Sequence, residues 1–266
     1  MQTQFSADAI AGFRTRSGLA PNLAIEVVEE TGSTNADLLA RLPNLQHPTL
    51  LIAQRQTAGR GRAGREWHSV PGSSLTFSLA WKFGRPLQEL VGLPLAVGVA
   101  IAEALLMQTV RVQLKWPNDI LRDGKKLGGV LISSAAANDA ANQYWCVIGV
   151  GLNLTVPDEL EQRVGHPVAG VPWLAQKDPN QLMAGLLNYL LAVLHTFEQA
   201  GMLAFVARWN LYHAYQGKQV QIIDDGQVLH QGRALGIDGM GRLLLEADNG
   251  TVAVLAGDVS LRTDMG

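Results

Sequence analysis

The order of apolar and polar positions divides the chain into two textures. Residues 24–30 alternate as a strand, after which Ser33, Thr34 and Asn35 offer capping oxygens to a short helix that runs to Leu39 and stops before Pro43. The β-branched, apolar run 49–56 predicts a second strand, followed by a long glycine- and arginine-rich loop over 57–73. Half-buried alternation over 74–81 predicts a third strand, and the dense apolar segment 87–108 predicts a core helix packed on the sheet. Further strands are expected at 110–115, 119–122, 127–133 and 143–154, the middle pair turning at Asp123-Gly124, with helices at 181–199 and 202–215 meeting at Gly201. From Gly217 the elements shorten to strands at 219–224, 227–235, 242–246 and 251–255, with turns at Asp225-Gly226, Gly239 and Asn249-Gly250. Too few helices separate the strands for an alternating βαβ fold. The pattern predicts an α+β chain whose mixed, mainly antiparallel sheet carries helices on one face, followed by a small β-barrel. The boundaries fall at 1–24 for an N-terminal extension, 25–215 for the main domain and 216–266 for the barrel.

Composition narrows the function classes. With 266 residues, 47% of them hydrophobic, the chain can bury a substantial core. A net charge of −2, from 21 basic and 23 acidic residues, lacks the basic footprint of a bulk nucleic-acid binder, so any cationic work is local. The single cysteine, Cys146, lies in Tyr-Trp-Cys-Val-Ile and reads as a small buried hydrophobe; an intrachain disulfide is impossible. The six histidines show no metal-ligand spacing. The opening 18 residues lack the apolar segment of a signal peptide, and the apolar stretch 91–107 is interrupted by Pro94 and Glu103 and falls short of the ~20 residues that cross a bilayer. A cytoplasmic protein without a membrane partner is expected.

Two constellations carry chemistry. The run Gly59-Arg60-Gly61-Arg62-Ala63-Gly64-Arg65 fits G-x-G-x-x-G after a strand, but Glu66-Trp67-His68-Ser69-Val70-Pro71-Gly72 cannot open the helix that a dinucleotide fingerprint requires. It also lacks the lysine and hydroxyl of a P-loop. The alternative is that glycines let backbone amides approach an anion while Arg60, Arg62 and Arg65 offer planar, permanently charged forks to carboxylate and phosphate oxygens. The bland competitor is a solvated basic loop. The second constellation is Lys115-Trp116-Pro117-Asn118-Asp119, with Lys126 beyond a hairpin turn, which places two lysines and a carboxylate at one end of the sheet. Alone it would read as a Lys–Asp pair fixing a turn. The Trp67 and Trp116 rings could stack on a base or fill the core.

These segments resemble the biotin protein ligases, also called biotin-[acetyl-CoA-carboxylase] ligases. The resemblance rests on Ser33-Thr34-Asn35, residues 56–67, Lys115 to Asp119, Lys126-Leu127-Gly128-Gly129 and Gly149-Val150-Gly151-Leu152-Asn153-Leu154, in the family's order, and covers residues 25–262. It implies the class II aminoacyl-tRNA-synthetase-like catalytic fold with an SH3-like barrel behind it. It also implies ATP-dependent activation of biotin to biotinyl-5′-AMP and transfer to a lysine of a biotin carboxyl carrier domain. Ser33, Thr34, Asn35, Gln56 and Gly129 would hold biotin, with Arg60, Gly61 and Arg62 in the covering loop. Lys126 would bind both the biotin carboxylate and the α-phosphate. Arg62, Arg65, Trp67, Asn118, Asp119 and Asn153 would face the nucleotide or its Mg²⁺, with Asp119 the candidate metal contact. By the same resemblance Lys126, Arg62 and Asp119 are the catalytic set, Asp119 orienting the acceptor lysine. Arg262 matches a position near the nucleotide. A homodimer is implied for many relatives. Some carry an N-terminal DNA-binding domain; with about two dozen residues before the first strand, a ligase without DNA binding is expected here. The competing readings are a lipoate or octanoate ligase, separable by labelling with either acid, and a non-catalytic biotin binder, separable by ATP–pyrophosphate exchange.

Overall fold

The computed structural model describes residues 5–14, 19–137, 143–165, 167–224, 226–255 and 260–263. One seven-stranded sheet is built from β1 (Ala24–Thr31), β2 (Thr49–Gln56), β3 (Ser74–Phe83), β4 (Gln113–Lys115), β5 (Asp119–Arg122), β6 (Lys125–Ala136) and β7 (Tyr144–Asn153). Their order is β1-β2-β3-β7-β6-β5-β4. The β1–β2 pair is parallel and every other pair antiparallel. The parallel pair arises because α2 (Thr34–Arg41) and the link after it carry the chain back across the sheet before β2 begins.

The two faces of this sheet are treated differently. Even-numbered residues of β7, Cys146, Ile148, Val150 and Leu152, enter the main core with α3 (Leu93–Leu106) and α5 (Pro179–Ala200). α3 is apolar on all sides, and eleven of its residues are buried because it is sandwiched between the sheet and α5. The opposite face bears α2 and a smaller cluster of Leu38, Leu42, Leu51, Ala80, Trp145 and Val147. The larger helices thus share one face, as expected, while α2 lies on the other and leaves part of it open. By length and composition Leu87–Leu106 and Pro179–Tyr212 could cross a bilayer, yet 72% and 44% of their most apolar windows are buried inside the fold.

Several expected elements are revised. The run 87–108 is not one helix: a 3-10 turn, Leu87–Leu90, precedes α3, and Gly92 caps it with Pro94 in the first turn. A side chain at Gly92 would come within 2.6 Å of Met202, so glycine suits this cap, and Pro94 fits the first turn, where its missing N–H is not needed. Residues 202–215 likewise split into a 3-10 turn, Gly201–Phe205, and α6 (Val206–Tyr212). The expected strand 110–115 shrinks to β4. α1 (Ala7–Phe13) and α4 (Asp158–Val164) were not foreseen. α1 is capped by Ser6 and plants Ile10 in the main core, joined by Phe5, so residues 5–14 pack against the seven-stranded unit.

The second sheet, β8 (Gln219–Asp224), β9 (Gln227–Ile237), β10 (Leu243–Ala247), β11 (Gly250–Val254) and β12 (Ser260–Thr263), is antiparallel in the order β11-β10-β9-β8-β12. β12 was not foreseen, and Asp225 of the expected turn lies outside the described residues. Val220, Ile222, Ala234 and Leu245 belong to the same core as the seven-stranded sheet. Trp116 is fully buried and its Nε1 donates to Gly241 O at 3.1 Å, so this ring fills the junction and is not available to stack on a base.

His213 sits at the same junction, where burial pushes its imidazole below the ordinary range despite a hydrogen bond to Gln216. The folded state therefore keeps it neutral where the unfolded chain would take up a proton. That contribution to stability is complete above the unfolded value of 6.5 and is lost as pH falls from there through the folded value. The melting temperature should fall across that window in the wild type and less steeply in His213→Asn; identical slopes would show that another group is responsible.

Candidate active site

The open sheet face is made by what β7 lacks. In Ile148-Gly149-Val150-Gly151-Leu152 the apolar side chains point into the core and the glycines leave the other face as bare backbone. A cavity of about 110 Å³ lies over them. Its closed end is neutral and polar: Ser33 caps α2, Thr34 and Gln56 are hydrogen-bonded to each other, and Ser78 meets Thr34. Asn35 ties α2 to the sheet, accepting from Ser133 Oγ at 2.9 Å and donating to Val147 O at 3.2 Å. Leu131, opposite Gly149, adds an apolar side chain to the wall, while Phe77, Val130 and Val150 border the cavity with side chains that enter the core.

The mouth is charged. The arginine segment is a small hairpin, more ordered than the extended loop its composition suggests. Trp67 N donates to Gly59 O at 2.9 Å and Gly61 N to Arg65 O at 2.6 Å, and the tip turns through Ala63 and Gly64, both with positive φ. Gly59 is required, since a Cβ there would lie 2.4 Å from Trp67 O. The hairpin is held down by Trp67, whose indole lies against Gly151; a Cβ at Gly151 would approach Trp67 Cε2 to 2.4 Å. Trp67 Nε1 is buried with no hydrogen-bond partner among the described residues, an orphan donor on the cavity wall.

From the other side, the turn between β4 and β5 brings in Asn118 and Asp119 after the cis Trp116–Pro117 peptide. Asn118 is clamped to β6 through both its backbone O, accepting from Val130 N at 3.0 Å, and its Nδ2, donating to Val130 O at 2.7 Å. Its Oδ1 accepts from Arg62 Nη1 at 3.3 Å, which joins the two constellations. Lys126 Nζ lies 2.6 Å from Asp119 Oδ1 in a pair only 28% and 20% exposed. The pair holds the ammonium in place and leaves two of its three protons for a ligand.

Four cations, Arg60, Arg62, Arg65 and Lys126, thus face two carboxylates, Glu66 and Asp119, around one cavity in a nearly neutral chain. Of the residues singled out from the sequence, Ser33, Thr34, Asn35, Gln56, Arg60, Gly61, Arg62, Arg65, Trp67, Asn118, Asp119, Lys126 and Gly129 all line it. Asn153 is buried at the end of β7 opposite Ser74 and is not among the residues that line this cavity. The side chain of Arg262 lies outside the described residues. Ser78, Gly149 and Gly151 were missed as site residues; the alternating glycines of β7 were the legible signal for two of them, while Ser78 looked like any small residue of a buried strand. Cys146 is fully buried and its thiol is pushed up to about 12 by desolvation, so it offers no nucleophile.

Fold and cavity together define a class of enzyme that joins two anionic reactants over an open sheet face, under a cationic hairpin. Comparison with known proteins agrees. The model of the biotin/lipoate A/B protein ligase family matches residues 25–153, and that of the biotin protein ligase C-terminal domain matches residues 215–262. A biotin–[acetyl-CoA-carboxylase] ligase of Mycobacterium tuberculosis is 35% identical over 244 residues, covering 88% of each chain. The bifunctional ligase/repressor BirA of Escherichia coli is 34% identical over 248 residues, covering 90% of this chain and 74% of the relative. A biotin protein ligase from Aquifex aeolicus, solved with biotin and ATP, superimposes with a TM-score of 0.74 at 28% identity over 91% of this chain and 99% of its own. The chain belongs to the biotin/lipoate A/B protein ligase family, on its biotin protein ligase side.

Gly151→Ala should unseat Trp67, since overpacking of this kind costs about 1–3 kcal/mol. Amide hydrogen exchange over 59–67 should then rise about ten-fold, with the rest of the sheet unchanged. Unaltered exchange in the hairpin would show that Gly151 is not its seat.

Proposed function

We infer that this chain is an ATP-dependent biotin protein ligase, and the observation that carries the inference is one cavity with a neutral polar closed end and a cationic mouth. A urea head group fits the first and a carboxylate beside a phosphate fits the second. In the first step a biotin carboxylate oxygen attacks the α-phosphorus of ATP. The bond from that phosphorus to the bridging oxygen breaks, and pyrophosphate leaves with the electron pair. Two anions must meet, so cations placed in advance matter more than an acid or base. Lys126, fixed by Asp119, and Arg62, fixed against Asn118, stand where they can screen that approach; orientation alone can contribute on the order of several kcal/mol.

In the second step the neutral amine of an acceptor lysine attacks the acyl carbon, the C–O bond to phosphate breaks and AMP departs. We assign the acceptor to a carrier domain of a biotin-dependent carboxylase. Asp119 is the carboxylate placed to orient that amine. The acyl-adenylate is a mixed anhydride that water destroys, and the hairpin seated by Trp67 supplies the cover.

Magnesium enters as part of the nucleotide substrate. Among the described residues no group of three or more His, Cys, Asp or Glu gathers at one point, and the carboxylates at the cavity are Glu66 and Asp119, the latter paired with Lys126. Asp119 is the carboxylate that would contact the ion through the bound nucleotide, as expected for a Mg²⁺ held mainly by substrate phosphates. A lipoate or octanoate ligase of the same family is the second reading. The polar closed end disfavours it, because an alkyl chain or dithiolane would leave the Gln56 Nε2 protons and the remaining Thr34 Oγ1 lone pair without a partner from the ligand.

Protein mixed with biotin, MgATP and a biotin-carrier domain should add one biotinyl group to a single lysine, while octanoate in place of biotin should add nothing. Lys126→Ala and Arg62→Ala should each lower biotin-dependent pyrophosphate release about a hundred-fold or more with unchanged circular dichroism; wild-type release in either contradicts its role. Cys146→Ala should transfer biotin at the wild-type rate, and a folded but inactive variant would require a covalent enzyme intermediate.

A further inference from the structure

The hydrogen bonds at the closed end of the cavity determine one another's direction. The backbone amide of Thr34 can only donate, and it meets Gln56 Oε1 at 2.7 Å, which fixes the orientation of the Gln56 amide. Thr34 Oγ1 lies 3.0 Å from the same oxygen, which can only accept, so the single hydroxyl proton of Thr34 points there. Thr34 is then left only to accept from Ser78, whose Oγ is 2.8 Å away. The relay runs from Ser78 to Thr34 to Gln56, and the opposite order would leave one contact without a proton. Ser78 is 0% exposed and Thr34 2%, so solvent does not scramble it.

This ordering decides what the cavity offers. Gln56 presents its Nε2 protons as donors, and Thr34 Oγ1 presents its remaining lone pair as an acceptor. Asn35 beside them is held in place by Ser133 and Val147, with one acceptor site and one donor of its amide engaged. A donor beside an acceptor complements a group that carries N–H next to C=O.

We propose that Ser78 is a positioning residue: by donating to Thr34 Oγ1 it holds that oxygen in place as the acceptor beside Gln56, and so makes this end of the cavity selective for a cyclic urea head group. The proposal rests on the biotin ligase reading and adds a residue to it. Ser78 does not itself touch the ligand; without its proton the Thr34 hydroxyl keeps its bond to Gln56 but loses the second bond that anchors it, and the acceptor is no longer held at one point.

The test is steady-state kinetics of Ser78→Ala and of Ser78→Cys, which keeps the shape but donates weakly. The KM for biotin should rise about ten-fold, the range for one lost hydrogen bond, with the KM for ATP and kcat unchanged. Desthiobiotin, which keeps the cyclic urea, should lose the same factor, and the inhibition constant of octanoate as a competitor should not change. An unchanged biotin KM in either folded variant overturns the proposal. So does a parallel loss for biotin, ATP and octanoate, which marks a general structural defect. Should Ser78→Ala fail to fold, Ser78→Cys carries the same readouts. A wild type that activates no biotin overturns the ligase reading together with this proposal, whereas an active wild type with unresponsive variants overturns this proposal alone.

Discussion

A sheet needs one covered face to be stable, and this protein covers one face fully while keeping the other bare where the chemistry is to happen. The covered face is sealed by α3 and α5 over Cys146, Ile148, Val150 and Leu152. On the other face Gly149 and Gly151 withhold side chains, so backbone alone forms the floor of the cavity. Everything else at the site is arranged around that floor. α2 is pinned beside it through Asn35, Trp67 lies flat on it, and the hairpin that Trp67 anchors closes over the mouth.

Electrostatics then follow from position more than from total charge. A chain of net charge −2 has little long-range attraction for an anion. It concentrates Arg60, Arg62, Arg65 and Lys126 at one mouth, and there the local field is what two anionic substrates meet. The Lys126–Asp119 pair adds little to fold stability, as partly exposed pairs do. Its work is placement: it holds an ammonium at one point of a rigid sheet, with Asn118 clamped to the neighbouring strand and Arg62 bound to Asn118. The division of labour along the cavity, neutral inside and cationic outside, matches a ligand with a urea at one end and a carboxylate at the other.

Much of this was legible in the sequence because charged and cap residues advertise themselves. Three arginines among glycines, a lysine after a turn and three capping residues after a strand are conspicuous in a quiet background, and all reached the cavity. Strand positions were legible for the same reason that the core forms, through alternation. What escaped was set by tertiary contact. The break before α3 falls at Gly92, where Met202 leaves no room for a side chain. α1 carries only one fully buried side chain, too few for a periodic signal. Asn153 shares a motif with residues that line the cavity and is buried at the end of β7, a placement that spacing along a strand does not give. Ser78 was silent because a serine in a buried strand gains its meaning from the Thr34 hydroxyl it meets, 44 residues away in sequence, which in turn meets the Gln56 amide 22 residues further on.

The most direct measurement is a crystal structure of the protein with a stable biotinyl-adenylate analogue. The account predicts the urea against Thr34 and Gln56, the phosphate within hydrogen-bonding distance of Lys126 and Arg62, and Trp67 still seated on Gly151. A phosphate bound away from those two cations, or a urea directed out of the cavity, would contradict it.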